Sequence, residues 1–176
     1  PQFPALWITS LSEVQPRRLN LRQFRYTIAL MLKPIFANDE VYHIYNRGVE
    51  KRTIFGDDKD RSRLIHDLFE FNDTAPAIKR QSSEVEPPML RRPRKLLVDL
   101  LAFCFMPNHF HLLVRQKIEN GTVLFMKKLG TGYTMYFNQR YERVGSLFQG
   151  RFKAVHVDRE EHLLHLLFYI HFNPLD

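Results

Sequence analysis

Residues 96–106 form a nearly continuous apolar run that turns at Met106-Pro107-Asn108 and returns through His109-Phe110-His111-Leu112-Leu113-Val114. A run of this kind suits a central strand covered on both faces, and Asn108 to Gln116 reads as its hairpin partner. Successive side chains of a strand point to opposite faces. His109 and His111 therefore share one face, while Phe110, Leu112 and Val114 share the other and point toward a core. A hairpin of this kind holds two imidazoles side by side on one rigid strand. Two such imidazoles make two thirds of a metal site. On spacing alone, however, a His-X-His pair is more often something else, so the pattern needs a companion.

The rest of the chain falls into alternating strand and helix signals. Val41 to Tyr45 alternates in β-forming residues and ends at Asn46-Arg47-Gly48, which predicts a strand. Asp57 to Phe71 carries apolar residues at 64, 65, 68, 69 and 71 behind an acidic first turn, a helical spacing. Residues 74–95 collect prolines, serines and charges and read as a flexible basic loop. Leu124 to Tyr141 has apolar residues at 125, 126, 129, 133, 136 and 137 and predicts a helix; Gly130 and Gly132 either weaken it or permit a close backbone approach. Phe148 to Val157 reads as a strand, and Glu160 to Phe172 as a helix stopped by Pro174. The order strand, helix, strand, strand, helix, strand, helix predicts an α+β fold, a ferredoxin-like antiparallel sheet with helices packed on it. Residues 1–37 read as an N-terminal extension with a possible short helix at 20–32, and 38–176 as the main domain.

Composition narrows the partner. The chain has a formal charge of +7 and a pI near 9.7, which favours a polyanion, most simply nucleic acid. The basic residues concentrate in 1–37, 79–95 and above all 115–153, where eight basic side chains face two acidic ones. Cys104 is the single cysteine, so no internal disulfide can form; this fits a reducing cytoplasm, and the thiol itself reads as a small buried hydrophobe. No stretch is long enough to span a membrane, the best candidate (26–36) being short and broken by Lys33 and Pro34. A chain opening on Pro1 and stopping at Asp176 is expected to be part of a longer one.

The companion to the histidines lies in the last helix. Tyr169 and Asn173 are four residues apart and stack on one helical face, with His162 and His165 on roughly the same face earlier. A phenol with a pKa near 10 is a poor nucleophile at neutral pH. It becomes useful if a divalent cation polarises the phosphate it attacks. Asn173 offers a carbonyl oxygen that could complete the coordination begun by His109 and His111. Taken singly, Tyr169 also suits a core or rim aromatic, Asn173 an ordinary helix-ending residue, and Glu160 and Glu161 favourable first-turn charges. His162 and His165 could form a zinc pair, without a carboxylate or cysteine pattern to support it. Tyr133, Tyr136 and Tyr141 are rival nucleophiles in principle, but the first two fall on the apolar stripe of their helix.

Four stretches then carry a resemblance: Tyr42-His-Ile-Tyr-Asn-Arg-Gly48, Met106-Pro-Asn-His-Phe-His-Leu-Leu-Val114, Gly145-Ser-Leu-Phe-Gln-Gly-Arg-Phe-Lys153 and Tyr169-Ile-His-Phe-Asn-Pro174. In this order they resemble the REP-associated tyrosine transposases, within the HUH (His-hydrophobic-His) single-strand DNA transposases and nucleases, over about residues 40–176. The resemblance implies that His109 and His111 bind Mg²⁺ or Mn²⁺, that Asn173 assists the metal, and that Tyr169 attacks a phosphodiester of single-stranded, hairpin-bearing DNA. The products would be a 5′-phosphotyrosine and a free 3′-hydroxyl. The extension before residue 38 has no counterpart in that family, and relatives usually continue beyond the last residue here.

Beside that reading, Arg47, Lys127, Lys128, Arg140, Arg143, Arg151 and Lys153 are the candidate phosphate contacts, with exposed aromatics to stack bases; for any single one of them a solvated surface charge is the more common role. The expectation is a cytoplasmic transposase acting as monomer or homodimer. The alternatives are a ferredoxin-like nucleic-acid binder with a vestigial site, and a small zinc-binding regulator.

Overall fold

The computed structural model describes residues 35–76 and 93–172, except for a few side chains of the last helix. The expected extension up to residue 34, with its helix at 20–32, and most of the basic loop lie outside these residues, while Ile35–Ala37 join β1 through the Tyr42 hydroxyl, which donates to Ile35 O and accepts from the Ala37 amide. The element order is β1 (Val41–Arg47), a 3-10 turn at Val49–Lys51, α1 (Asp58–Glu70), β2 (Val98–Met106), β3 (His109–Gln116), α2 (Gly121–Arg140), β4 (Lys153–His156) and α3 (Glu160–Phe172). The strands form one sheet in the order β2-β3-β1-β4. Each neighbouring pair is antiparallel. This is the α+β, ferredoxin-like class expected from the sequence. No helix among the described residues is long and apolar enough to cross a membrane.

Strand alternation divides the apolar residues between two faces. Tyr42, Ile44, Phe110, Leu112 and Val114 pack with Leu64 and Leu68 of α1 and with Phe125, Met126, Leu129 and Tyr133 of α2. On the opposite face a smaller cluster joins Ala102, Cys104 and Leu113 to Leu166 and Ile170 of α3. The sheet is thus sandwiched, with α1 and α2 on one side and α3 on the other. The β2–β3 turn is pinned from the first of these sides: the Pro107 carbonyl accepts from the amides of Ile54 and Phe55 at 2.8 and 3.3 Å, and the Gly48 amide donates to Asn108 O at 2.9 Å.

Polar groups fix how the helices enter and leave. Asp57 caps α1, accepting from the amides of Lys59 and Asp60 at 3.0 and 3.2 Å, which satisfies two of the donors that a helix start leaves without partners. At its other end the buried Asn72 side chain accepts from the Leu97 and Val98 amides, both at 3.0 Å, and donates to Val98 O at 2.8 Å. The carboxylate of Asp60, fully buried, accepts from the Gly56 amide, the hydroxyls of Tyr136 and Tyr141, and Arg140 Nη1 at 2.7, 3.0, 2.8 and 2.5 Å. Arg140 Nη2 also donates to Asp57 at 2.6 Å, and that contact holds the Asp57 carboxyl below the usual carboxylate range.

Two sequence expectations shift. The helix expected from Leu124 begins three residues earlier, at Gly121. Its Gly-Thr start reads as turn chemistry, but the buried Gln116 side chain accepts from the Thr122 amide at 3.1 Å and so supplies the missing cap. The strand expected over 148–157 is confined to Lys153–His156. Gly145 and Gly150 take positive φ, +88° and +74°, which breaks the extended path. Between them Phe148 turns into the core, edge-on to Phe110 at 5.7 Å between centroids.

The glycines of α2 behave differently from one another. A Cβ on Gly132 would stand 2.4 Å from two ring atoms of the buried Phe71, whereas one on Gly130 meets nothing within 4 Å. Gly130→Ala is therefore expected to stabilise the protein by about 0.5–1 kcal/mol through helix propensity, and Gly132→Ala to destabilise it by about 1–3 kcal/mol through overpacking. Urea unfolding of both variants checks this; shifts of the same sign would show that α1 and α2 do not approach at Gly132.

Candidate active site

The sheet register assembles the site row by row on the face that carries α3. Arg47, His109 and Met106 are cross-strand partners in one row. Lys153, Tyr45, His111 and Cys104 form the next, and Val155, His43, Leu113 and Ala102 the third. Directly opposed residues on antiparallel strands put their side chains on the same face. One basic group from an edge strand, one from the end of β1 and three imidazoles are thereby gathered on a patch three strands wide.

The imidazoles are in mutual contact. The rings of His109 and His111 lie edge to face, 5.0 Å between centroids and 82° apart. The rings of His43 and His111 lie edge to edge and nearly coplanar, 5.1 Å between centroids and 17° apart, with His43 Nε2 2.9 Å from His111 Nδ1. Tyr45 closes one side, 5.5 Å from His43 and 5.9 Å from His111. His109 Nδ1 lies 2.6 Å from Asn108 Oδ1. A carboxamide oxygen only accepts, so His109 carries its proton on Nδ1 and keeps a lone pair on Nε2.

Burial sets the charge of this cluster. His111 is 6% exposed; desolvation, reinforced by its neighbours His43 and His109, pushes its pKa down to about 3. His109 is also lowered, first by burial and then by the positive charge of Arg47. Both rings are neutral at physiological pH, the form in which imidazole binds cations. Among the described residues no three His, Cys, Asp or Glu side chains are grouped so as to hold a metal ion.

The remaining sequence candidates divide by sheet face. Tyr169 belongs to α3, the helix whose Leu166 and Ile170 cover the imidazole face; its side chain, those of His162 and His165, and the whole of Asn173 lie outside the described residues. Arg47 and Lys153 stand in the histidine rows, and exposed Arg151 lies two residues before Lys153. Lys127, Lys128, Arg140 and Arg143 lie on or just after α2, across the sheet, and are not brought together with the histidines. Two of them are already engaged: Arg140 by Asp57 and Asp60, Lys128 by the carbonyls of Asp73 and Ala75. Arg143 bonds Asn138 and lies over the Phe137 ring, 5.7 Å from its centroid. Of the rival tyrosines, Tyr133 is fully buried and donates to Ile54 O at 2.6 Å, and burial pushes its phenol well above the ordinary value. Tyr141 is pushed up to about 12, by burial and then by Asp60, whose carboxylate it bonds. Residues that sequence reasoning passed over are His43, Tyr45 and Asn108. The signal was present in the alternation of His43, Tyr45 and Arg47 along β1.

The neutral state of His111 has a consequence for stability. An unfolded chain protonates this ring near pH 6.5, while the folded chain resists until about pH 3. Within that window the unfolded state binds more protons, so stability falls as pH falls. Metal-free protein is expected to lose up to about 1.4 kcal/mol per pH unit below 6.5 from this group, and His111→Gln to flatten the slope. Urea unfolding at pH 7, 6 and 5 with chelator checks it; identical profiles for the two proteins would refute a buried neutral imidazole.

Comparison with known proteins follows the same lines as this geometry. Residues 79–173, more than half of the chain, match the family model described as Transposase IS200 like. The fold is similar to that of the REP-associated tyrosine transposase solved bound to a REP hairpin, with a TM-score of 0.52 and 13% identity over 82% of this chain and 72% of that one. A protein assigned as a transposase from Deinococcus radiodurans R1 gives a TM-score of 0.46 and 14% identity over 80% and 95% of the two chains. No curated protein sequence matches. With a His-X-His strand, a tyrosine on the covering helix and a family match that spans both, this chain belongs to the IS200-like transposases.

Proposed function

We propose that this transposase is a metal-dependent single-strand DNA endonuclease and strand transferase that works through a 5′-phosphotyrosine on hairpin-bearing DNA. The observation that carries the reading is the pair of neutral imidazoles, His109 and His111, on the sheet face covered by the helix that bears Tyr169. The donor set fits a divalent cation: both rings are uncharged, and His109 is oriented by Asn108 so that Nε2 holds the lone pair. His109 and His111 would hold Mg²⁺ or Mn²⁺, with Asn173 as the assisting oxygen donor. Bound there, the ion would supply Lewis acidity to a phosphate and offset its developing charge.

The chain's own groups do the rest. Arg47 and Lys153, with Arg151 beside them, neutralise the backbone of the incoming strand at the edge of the site. Tyr169 attacks the phosphorus; the bond between its phenolic oxygen and phosphorus forms as the phosphorus–O3′ bond breaks. The phenol gives up its proton, the 3′-oxygen gains one, and the 5′-phosphate stays on the protein. The stored phosphodiester energy lets a 3′-hydroxyl attack in return and rejoin strands without a nucleotide cofactor. The surrounding polar and basic residues belong to a strand-binding surface rather than to a deep small-molecule pocket.

Incubating labelled hairpin-bearing single strands with Mn²⁺ and the full chain should yield a covalent protein–DNA adduct. Tyr169→Phe should remove it, chelator should remove it, and His111→Ala should slow it by about 10²-fold or more. No adduct from the unaltered full chain, with DNA binding retained, would replace this reading with that of a non-catalytic binder. In the same system Arg47→Ala and Lys153→Ala should each reduce the slope of log affinity against log salt by about 0.7. Arg140→Ala, whose charge is engaged by Asp57 and Asp60, should leave that slope unchanged in protein that remains folded. A slope unaffected by Arg47→Ala and Lys153→Ala would move the strand off this face.

A further inference from the structure

We infer that His43 is a positioning residue: it accepts a hydrogen bond from His111 Nδ1–H and so fixes the tautomer in which the lone pair of His111 is on Nε2, the form that can bind a cation. The inference deepens the proposed function and rests on it, because it concerns how one of the two metal-binding imidazoles is prepared.

The contact is direct. His43 Nε2 and His111 Nδ1 are 2.9 Å apart, a normal hydrogen-bond distance. Two neutral imidazoles share such a bond in only two ways. Either His111 donates from Nδ1 and keeps its lone pair on Nε2, or His43 donates and His111 must carry its own proton on Nε2. The second arrangement blocks Nε2 as a ligand. The first makes the two histidines of the pair alike, because His109 also has its Nδ1 engaged, by Asn108 Oδ1 at 2.6 Å. Both members then present the same nitrogen. A ligand histidine whose other ring nitrogen is tied to a fixed acceptor is the usual arrangement at metal centres.

The fold holds His43 in place for this. It sits on β1 opposite Leu113, one row along from the Tyr45–His111 pair, so its ring reaches His111 diagonally across the strand boundary. The Tyr45 ring, 5.5 Å away, limits its swing. Rows on a paired strand do not slide independently, so the distance between the two rings is set by the sheet register itself. His43 is not grouped with His109 and His111 as a third ligand. Its Nε2 lies against His111 Nδ1.

The test reads the tautomer before it reads the metal. In the full chain labelled with ¹⁵N-histidine and freed of metal, long-range ¹H–¹⁵N spectra should show His111 protonated on Nδ1 and His43 protonated on Nδ1 with an accepting Nε2. His43→Gln keeps an acceptor oxygen, and His43→Leu removes it. Free-Mn²⁺ titration followed by electron paramagnetic resonance should show affinity weakened by about 10–100-fold in His43→Leu and largely restored in His43→Gln. An Nε2-protonated His111 in the unaltered protein overturns the inference. So does unchanged Mn²⁺ affinity in His43→Leu, or a loss that His43→Gln fails to recover, which would make His43 a ligand. If the unaltered protein binds no Mn²⁺, the proposed metal function fails, while the metal-free spectrum still decides the role of His43.

Discussion

Everything in this molecule depends on the alternation of one strand. β3 is hydrogen-bonded on both sides, to β2 and to β1, so its side chains cannot rotate about the strand to suit local preference. Phe110, Leu112 and Val114 go into the core beneath α1 and α2, which obliges His109 and His111 to face the other way. A slip of one residue would bury the imidazoles in that core and expose the phenylalanine. The register is held at the turn, where Pro107 O and Asn108 O accept from amides of the 48–55 segment. The same turn places Asn108 against His109. Fold stability and site geometry are thus one constraint, not two.

The basic character of the chain is divided by the same sheet. On the α1–α2 side, part of the positive charge is paired internally: Arg140 joins Asp57 and Asp60, and Arg63 pairs with Asp67 at 2.9 Å. Asp60 is a buried carboxylate stabilised by four donors, and removing one partner of such a group typically costs about 3–5 kcal/mol. On the α3 side, Arg47 and Lys153 flank the imidazoles at the ends of their rows. The 26 lysines and arginines of the chain therefore overstate what is available to a polyanion, since some of them are structural glue between helices.

The two faces also differ in how firmly they are built. The core beneath α1 and α2 contains most of the large buried side chains, whereas α3 rests on a smaller cluster around Ala102, Cys104, Leu113, Leu166 and Ile170. Among the described residues, the helix that bears Tyr169 meets the sheet through Leu166 and Ile170, with Leu163 and Leu167 beside them.

The sequence by itself determined the element order, the pairing of β2 with β3, and the shared face of His109 and His111. Those follow from periodicity, which is a local property of the chain. It also made Gly132 a candidate for close approach, and the contact with Phe71 bears out that option while Gly130 shows the weaker one. It misjudged the start of α2 and the length of β4, because the Gln116 side chain that caps Thr122 and the core pocket that draws in Phe148 come from elsewhere in the fold. It also grouped seven cations as one surface. Only the tertiary structure decided that α2 and the turn after it carry four of them away from the imidazoles, that Arg47 and Lys153 stay beside them, and that His43 bonds His111. Each of these is fixed by strand register and by which sheet face a helix covers, and neither is encoded within reach of the residues concerned.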